Sequence, residues 1–397
     1  MRLTLPQAIE LVEKSNPELR VSGQSVEVAR RGVTIAGQRP LNPTVGFNTP
    51  LGPAERKQGI FFIIPLETGG RREARLAVAE SGVQEANLGL SQVRLTMLNQ
   101  TRNAFVELAM ARASLEQSRR DLEFNDRVVA AARRRFEAGD AAEAEVIRAR
   151  FEREQIARGV FPAENRVEAA QLLLNRLLGQ ALDTTIETVD DGWLFPTEAA
   201  LKGPDWKLPS LDALHEIARK QRPDLALVAQ QGTTAQRQVQ LALANQAPAV
   251  SLQGSLLYNP AIPAFTYLAG VQVEIPWDND RAGEVEQARA RQEEVLRRQA
   301  LTLATADHAV ALAYSRFQAA KRQLSHDLEV LKPQADRVLY LAEKIYQIGQ
   351  GDITEVLTVG QSVQRQRQLL LSDIAQLHLA LGELELAVNS TLVGGKP

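Results

Sequence analysis

The chain has 397 residues, of which 44% are hydrophobic and 24% charged, the balance of a folded and not a disordered protein. Its formal net charge is -2 and it contains no cysteine, which excludes disulfides, thiolate metal sites and cysteine nucleophiles and leaves no global basic field for nucleic acid. No 18-residue apolar run occurs, so no transmembrane helix is expected, and Met1-Arg2 leads directly into a helix start with no signal peptide visible ahead of it.

In chain order, the pattern predicts a first helix over roughly 5–38, opening at Leu3-Thr4-Leu5-Pro6-Gln7-Ala8. A strand pair follows, Pro43 to Thr49 and Gln58 to Pro65, in which Ile60-Phe61-Phe62-Ile63-Ile64 is nearly continuous. The next helix runs over roughly 70–137, with Leu108, Leu115, Leu122, Val129 and Phe136 at heptad spacing. At about 1.5 Å per residue, such a helix spans roughly 100 Å, a length no compact globular domain uses. A turn at Phe136-Glu137-Ala138-Gly139-Asp140 leads into another long helix, which Pro162 is expected to kink or interrupt. Irregular structure, with a small helix, is expected over roughly 181–208, around Asp190-Asp191-Gly192-Trp193, Pro196, Gly203 and Pro204.

The order then repeats. A helix over roughly 209–246 precedes a clearer hairpin, where Val250, Leu252, Gly254, Leu256 and Tyr258 alternate with Ser251, Gln253, Ser255 and Leu257. Beyond the loop Asn259-Pro260-Ala261-Ile262-Pro263-Ala264, Tyr267, Ala269, Val271, Val273 and Ile275 alternate with Leu268, Gly270, Gln272 and Glu274. The second long helix covers roughly 280–348, with heptad positions Val310, Phe317, Leu324, Leu331, Val338 and Ile345 and a break expected at Pro333. A turn at Tyr346-Gln347-Ile348-Gly349-Gln350-Gly351-Asp352 opens the last helix.

The two halves are copies at a spacing of roughly 206–211 residues. Asn16-Pro17-Glu18-Leu19 corresponds to Arg222-Pro223-Asp224-Leu225, and Phe136 to Tyr346. Val146, Val160, Val167 and Leu174 align at one offset with Val356, Leu370, Leu377 and Leu384. The organisation is therefore a first repeat over 1–180, a linker over 181–208, a second repeat over 209–390 and a tail over 391–397. The fold class is mainly α with a small β part: duplicated long-helix coiled-coil hairpins plus two β-hairpins.

The strands of the second hairpin have the length that crosses a bilayer when tilted. Alternation alone equally admits a small soluble sheet packed on the helices. Four strands cannot close a barrel, and an open edge in lipid leaves backbone groups unpaired, so bilayer strands would have to be pooled by several chains.

The assembled pattern resembles the TolC-like outer-membrane factors over essentially the whole chain. The opening motif from Leu3 to Leu19, its counterpart Arg222-Pro223-Asp224-Leu225 and the strand exits carry the resemblance. The exits Pro65-Leu66-Glu67-Thr68-Gly69-Gly70-Arg71-Arg72 and Ile275-Pro276-Trp277-Asp278-Asn279-Asp280-Arg281-Ala282-Gly283 look most like the cobalt-zinc-cadmium subfamily. The resemblance implies a homotrimer in the bacterial outer membrane that pools a twelve-strand β-barrel above a trimeric periplasmic α-barrel. It implies a passive efflux channel for small solutes, metal ions or drugs. It also implies a periplasmic adaptor (membrane fusion protein) and an inner-membrane pump of the resistance-nodulation-division type as partners.

No catalytic, metal or cofactor constellation is expected. His215, His308, His326 and His378 lack metal-ligand spacing and read as helix-surface or packing residues. Gly69-Gly70-Arg71-Arg72 lacks the Lys-Ser/Thr of a phosphate loop and reads as a strand-to-helix turn. The candidate functional residues are those of the two turns: Arg135, Gly139, Asp140, Gly349, Asp352 and Glu355. Gly139 and Gly349 fit the left-handed position that ends a helix, and Asp140 and Asp352 are expected to cap the helices that follow. In the family these turns form the periplasmic gate and adaptor-docking edge. The alternative reading is a soluble periplasmic coiled-coil scaffold or adaptor-like protein, although the modules of many short strands that an adaptor carries are not found.

Overall fold

The computed structural model describes residues 1–38, 42–49, 57–190, 193–203, 206–260, 262–275 and 280–392. The exit segment Pro276-Trp277-Asp278-Asn279, Asp191-Gly192, Pro204 and Ala261 lie outside the described residues.

The first repeat contains β1 (Arg2–Leu3), α1 (Leu5–Ser15), α2 (Pro17–Gly37), β2 (Thr44–Asn48), β3 (Gln58–Leu66), α3 (Arg71–Glu137) and α4 (Glu143–Leu178). The linker adds β4 (Glu187–Thr188) and α5 (Glu198–Lys202). The second repeat contains α6 (Leu211–Gln221), α7 (Pro223–Asn245), β5 (Ala249–Asn259), β6 (Ala264–Glu274), α8 (Ala282–His326), a π-helical segment (Asp327–Leu331), α9 (Lys332–Gln347) and α10 (Ile353–Val388).

The single opening helix expected in each repeat is in fact two. The ring of a proline crowds the preceding residue out of the helical region. Asn16 (ψ 126°) and Arg222 (ψ 121°) are accordingly extended, one residue before Pro17 and Pro223. The interruption is used for anchoring. Asn16 Oδ1 accepts the Glu18 and Leu19 backbone N–H groups, and its Nδ2 donates to Leu177 O at the end of α4 (2.8 Å). In the second repeat Arg222 Nη1 donates to Ala387 O near the end of α10 (2.8 Å). Pro162 does not interrupt α4, which stays helical from Glu143 to Leu178. Pro333 does disturb its helix, which widens to the π-helical segment just before it.

The chain forms two compact units. One comprises Met1–Arg20, Val93–Arg222 and Thr305–Pro397. Its core is built by the heptad seams: Phe105, Leu108, Leu174, Phe317, Leu324, Leu377 and Leu384 are fully or almost fully buried. The linker closes over this core with Leu194, Leu201 and Trp206, and β1 pairs in parallel with β4. His378 is a packing residue here. Its Nε2 lies 3.0 Å from Leu194 O, its ring packs on Trp193, and burial holds its pKa down at about 4. Arg102 forms a buried ion pair with Glu385 and lies over the Trp193 ring. A separate cluster of Phe124, Val128, Ala132, Val146, Tyr346, Ile353 and Val356 packs the same helices near their turns.

The other unit comprises Val21–Gln92 and Pro223–Ala304. Arg237 of α7 donates to Ala77 O (2.8 Å) and Ser81 Oγ (2.7 Å) of α3. Arg75 pairs with Glu67 (2.6 Å) and donates to Ala36 O (2.8 Å), tying the first strand exit to α2 and α3. The two hairpins join in one antiparallel sheet of order β2-β3-β5-β6. The sheet is open, with β2 and β6 as its edges, and it is not a closed barrel.

Candidate functional sites: an open sheet and two helical turns

Strand register sorts the sheet's side chains onto two faces. Val45 lies opposite Phe62 and Phe47 opposite Ile60. Ile60, Phe62 and Ile64 lie opposite Leu256, Gly254 and Leu252. Leu252, Gly254, Leu256 and Tyr258 lie opposite Val271, Ala269, Tyr267 and Phe265. One face is therefore apolar across all four strands. The other carries Thr44, Asn48, Ser251, Gln253, Ser255, Thr266, Gln272 and Glu274, with Phe61, Ile63, Leu257 and Leu268 among them.

The apolar face is uncovered: on the central strands Ile60, Phe62, Leu252 and Leu256 are exposed while Phe61, Ile63, Gln253 and Ser255 of the other face are half-buried, and on β6 both faces are exposed. Phe47 is 62% exposed, Phe62 44%, Val271 64% and Tyr267 78%. Burying apolar surface is worth about 25 cal/mol per Å², so a protein surrounded by water turns such a face inward. Here it is left uncovered, which suits a hydrocarbon surround. Gly254 explains how the face stays smooth: the Phe62 ring lies across it, and a Cβ there would sit 2.2 Å from the ring. Two aromatic rings, Tyr258 and Phe265, meet beside the hairpin turn with centroids 5.1 Å apart. Aromatics at the rim of an apolar band are what a membrane interface selects.

The helical turns lie in the other unit. Gly139 and Gly349 both have φ +81°, and no heavy atom would touch a Cβ at either, so the backbone conformation alone calls for glycine. Arg135 brings the turns together. Its Nη1 donates to Gly351 O (3.3 Å), its Nη2 to Asp140 O (3.4 Å), and its guanidinium lies 4.7 Å above the Tyr346 ring. Tyr346, which the sequence reading did not single out, is the buried anchor of the site. Its hydroxyl donates to Glu145 Oε2 (3.4 Å), and burial, with the Glu145 carboxylate, pushes its phenol pKa up. The available signal was its alignment with Phe136, but Phe136 itself is 43% exposed.

The two aspartates differ. Asp352 caps α10: its Oδ1 accepts the Thr354 N–H (3.3 Å), and this bond holds its pKa below the usual carboxylate range. Asp140, which the sequence led us to expect as the cap of α4, does not cap it. The N-cap is Ala142, two residues later, and no side chain caps that helix. The turn after Gly139 is longer than a direct Gly-Asp cap allows, so Asp140 sits in it as an exposed residue whose carbonyl receives Arg135. Glu355 is exposed in the first turn of α10, and beside it Arg148 donates to Thr354 Oγ1 (2.6 Å). The site holds charges and hinges but no array of nucleophile, base and oxyanion donors. Among the described residues no group of three His, Cys, Asp or Glu side chains could hold a metal.

Residues 8–180 and 214–390 match the Outer membrane efflux protein family, so the chain belongs to that family, one of channels and not of enzymes. The pyoverdine export outer membrane protein OpmQ of Pseudomonas aeruginosa is 28% identical over 332 residues, which cover 81% of this chain and 65% of that protein. The outer-membrane channel OprN has the same fold, with a TM-score of 0.80 at 18% identity over 97% of this chain and 90% of that one. CusC superposes with a TM-score of 0.79 at 17% identity, over 97% of this chain and 92% of that one. The outer membrane protein VceC of Vibrio cholerae superposes with a TM-score of 0.77 at 18% identity, over 97% and 96% of the two chains.

Proposed function

We propose that the chain is the passive outer-membrane exit duct of a tripartite efflux system. The observation that carries this reading is the sheet with an uncovered apolar face and, among the described residues, two edge strands that lack a second partner. In a membrane each unpaired edge group costs several kcal/mol, and the way to pair the edges is for β6 of one copy to meet β2 of the next. Three copies of four strands make twelve, and a homotrimer closes the barrel. The apolar face then meets outer-membrane lipid, and the face bearing Ser251, Gln253, Ser255 and Gln272 lines the lumen. The helices occupy the periplasm, where an adaptor and an inner-membrane pump of the resistance-nodulation-division type engage them and supply the energy. The cargo is a small solute chosen by the pump. The two strand exits support the cobalt-zinc-cadmium class, although Pro276 to Asn279 of the second exit lie outside the described residues.

The entrance is the pair of turns at Gly139-Asp140 and Gly349-Asp352, with Arg135 and Glu355 beside them. Arg135 and Tyr346 fasten the turns within one copy, and Asp352 and Glu355 remain to act between copies. Exposed pairs are worth about 0–1 kcal/mol each, so three symmetric sets bias a closed entrance while leaving it openable.

Light scattering in detergent and conductance in planar bilayers test the reading. A trimer with a discrete conductance is expected, and a monodisperse monomer with full helical content and no conductance sinks it. Reversing the charge at Glu355 raises single-channel conductance. If neither this reversal nor the one at Asp352 changes conductance, the entrance assignment fails and the channel stands. Pump-coupled transport assays with zinc or cadmium ions, run beside an organic siderophore, decide the cargo class.

A further inference from the structure

Asp327 at the start of the π-helical segment and Asp373 of α10 are both buried (6% and 5% exposed), and the Asp327 carboxyl lies close enough to act on that of Asp373. Gln323 of α8 adds a donor, with Nε2 3.0 Å from Asp373 Oδ1. The surrounding cations are engaged elsewhere. Arg367 of α10 reaches Asp336 of α9 (3.0 Å) and the buried Asp121 of α3 (3.9 Å). Lys202 of α5 bridges Glu198 (2.7 Å) and Glu329 (3.3 Å) on the outer side of the segment. Lys321 donates to Trp206 O (2.8 Å), His326 is exposed, and His378 of α10 is turned to Leu194 O. Among the described residues neither Asp327 nor Asp373 has an ion pair.

Two buried carboxylates without a cation do not both ionise readily, and one proton held between them turns repulsion into a hydrogen bond. Burial and the Asp327 carboxylate push Asp373 up to about 6. The pair sits on the weakest stretch of its helix. Lys332 N–H bonds to Asp327 O, five residues back, and Pro333 has no N–H to give to Glu329 O. The first repeat has no such device. At the aligned positions stand Gln117 and Ala163, and α3 is helical without interruption.

We propose that Asp327 and Asp373 form a proton-held latch that fastens the π-helical segment to α10 and releases it when the shared proton is lost. With the proton in place, the segment and α9 beyond it are held. Without it, two like charges face each other across the contact and the weakest turn of the helix opens. Because the folded-state pKa of Asp373 is raised, the latch is closed in acid and opens as pH rises through about 6. Its consequence for the entrance at Gly349 rests on the proposed function; the latch itself does not.

Hydrogen exchange on the full-length protein, corrected for intrinsic rates, tests it at about pH 5 and about pH 7.5. Exchange across residues 327–347 of the wild type is expected to rise about tenfold between the two, since local opening sets amide protection. Asp373→Asn and Asp327→Asn each remove the second charge, and both should be flat and protected throughout. A wild type with no rise, or a wild-type rise in either folded variant, overturns the latch. Should neither variant fold, infrared spectroscopy decides: a buried carboxylic C=O band in the wild type must titrate near pH 6, and its absence is fatal. His378 titrates in the opposite sense, loosening its surroundings in acid, so a response of that sign would also count against the latch. A latch that works in exchange but leaves conductance unchanged across the same range would strike the entrance assignment instead.

Discussion

The two repeats were built from one pattern and carry different loads. In the first, α3 is a single helix of 67 residues. In the second, the same stretch is α8, a π-helical segment and α9, broken around Pro333. The buried charged pair between the repeats is one-sided as well. Arg102 of α3 meets Glu385 of α10, whereas the aligned positions hold Leu312 and Asn175. At the turns, Tyr346 is buried and its counterpart Phe136 is exposed. Duplication thus preserved helix positions and seams while the contacts that differ concentrate polarity, a hinge and an anchor in particular places. A heptad needs only apolar residues at fixed spacing, and each copy meets a different neighbour.

The sharpest break of this asymmetry is Arg102→Ala. It removes the guanidinium that faces the buried Glu385 carboxylate, and a loss of about 3–5 kcal/mol is expected in denaturant unfolding, against about 1 kcal/mol or less for Leu312→Ala. Equal losses would mean the pair is not the asymmetric support described here. Next in size is Tyr346→Ala, expected to cost about 3 kcal/mol against about 0.5 kcal/mol for Phe136→Ala. A large loss at Phe136, measured in the assembled protein, would place that ring in a contact between copies.

A third measurement follows pH. The folded-state pKa of His378 is lowered to about 4, below the ordinary 6.5, so the unfolded chain takes up the proton first. Its stabilisation is complete above about pH 6.5 and falls by about 1.4 kcal/mol per pH unit down to about pH 4. Unfolding midpoints between these limits should decline, and His378→Gln should flatten the decline. The smallest effect tests where the repeats agree. Gly139→Ala and Gly349→Ala each impose about 1–2 kcal/mol of left-handed strain with no clash, so the two losses should match. A larger loss at one would reveal packing that is absent from the single chain.

The long helices, the seam positions Leu108, Val310, Phe317 and Leu324, the hairpins and the glycine turns were legible in sequence, because period, length and φ > 0 are local demands; nearer the turns the expected heptad positions Phe136, Val338 and Ile345 are exposed, and Ala132, Ala342 and Tyr346 are buried instead. The breaks at Asn16 and Arg222 were legible too, since a following proline acts on its neighbour, yet the opening helices were read as continuous. Asp140 looked like a cap because capping residues are recognised by type, while the cap itself depends on where the helix starts, here at Glu143 with Ala142 as the N-cap. Tyr346 and Phe136 look alike in sequence and differ in burial, since burial depends on partners more than 200 positions away, such as Glu145. The pairing of Asp327 with Asp373 lay beyond any local pattern. Two aspartates on separate helices carry no mutual signal until packing brings them together and excludes the cations around them. The alternation of the strands determined that the sheet has an apolar and a polar face. Only the tertiary structure decided that no described part of the chain covers the apolar face, because period two states which side chains share a face and is silent on what covers it.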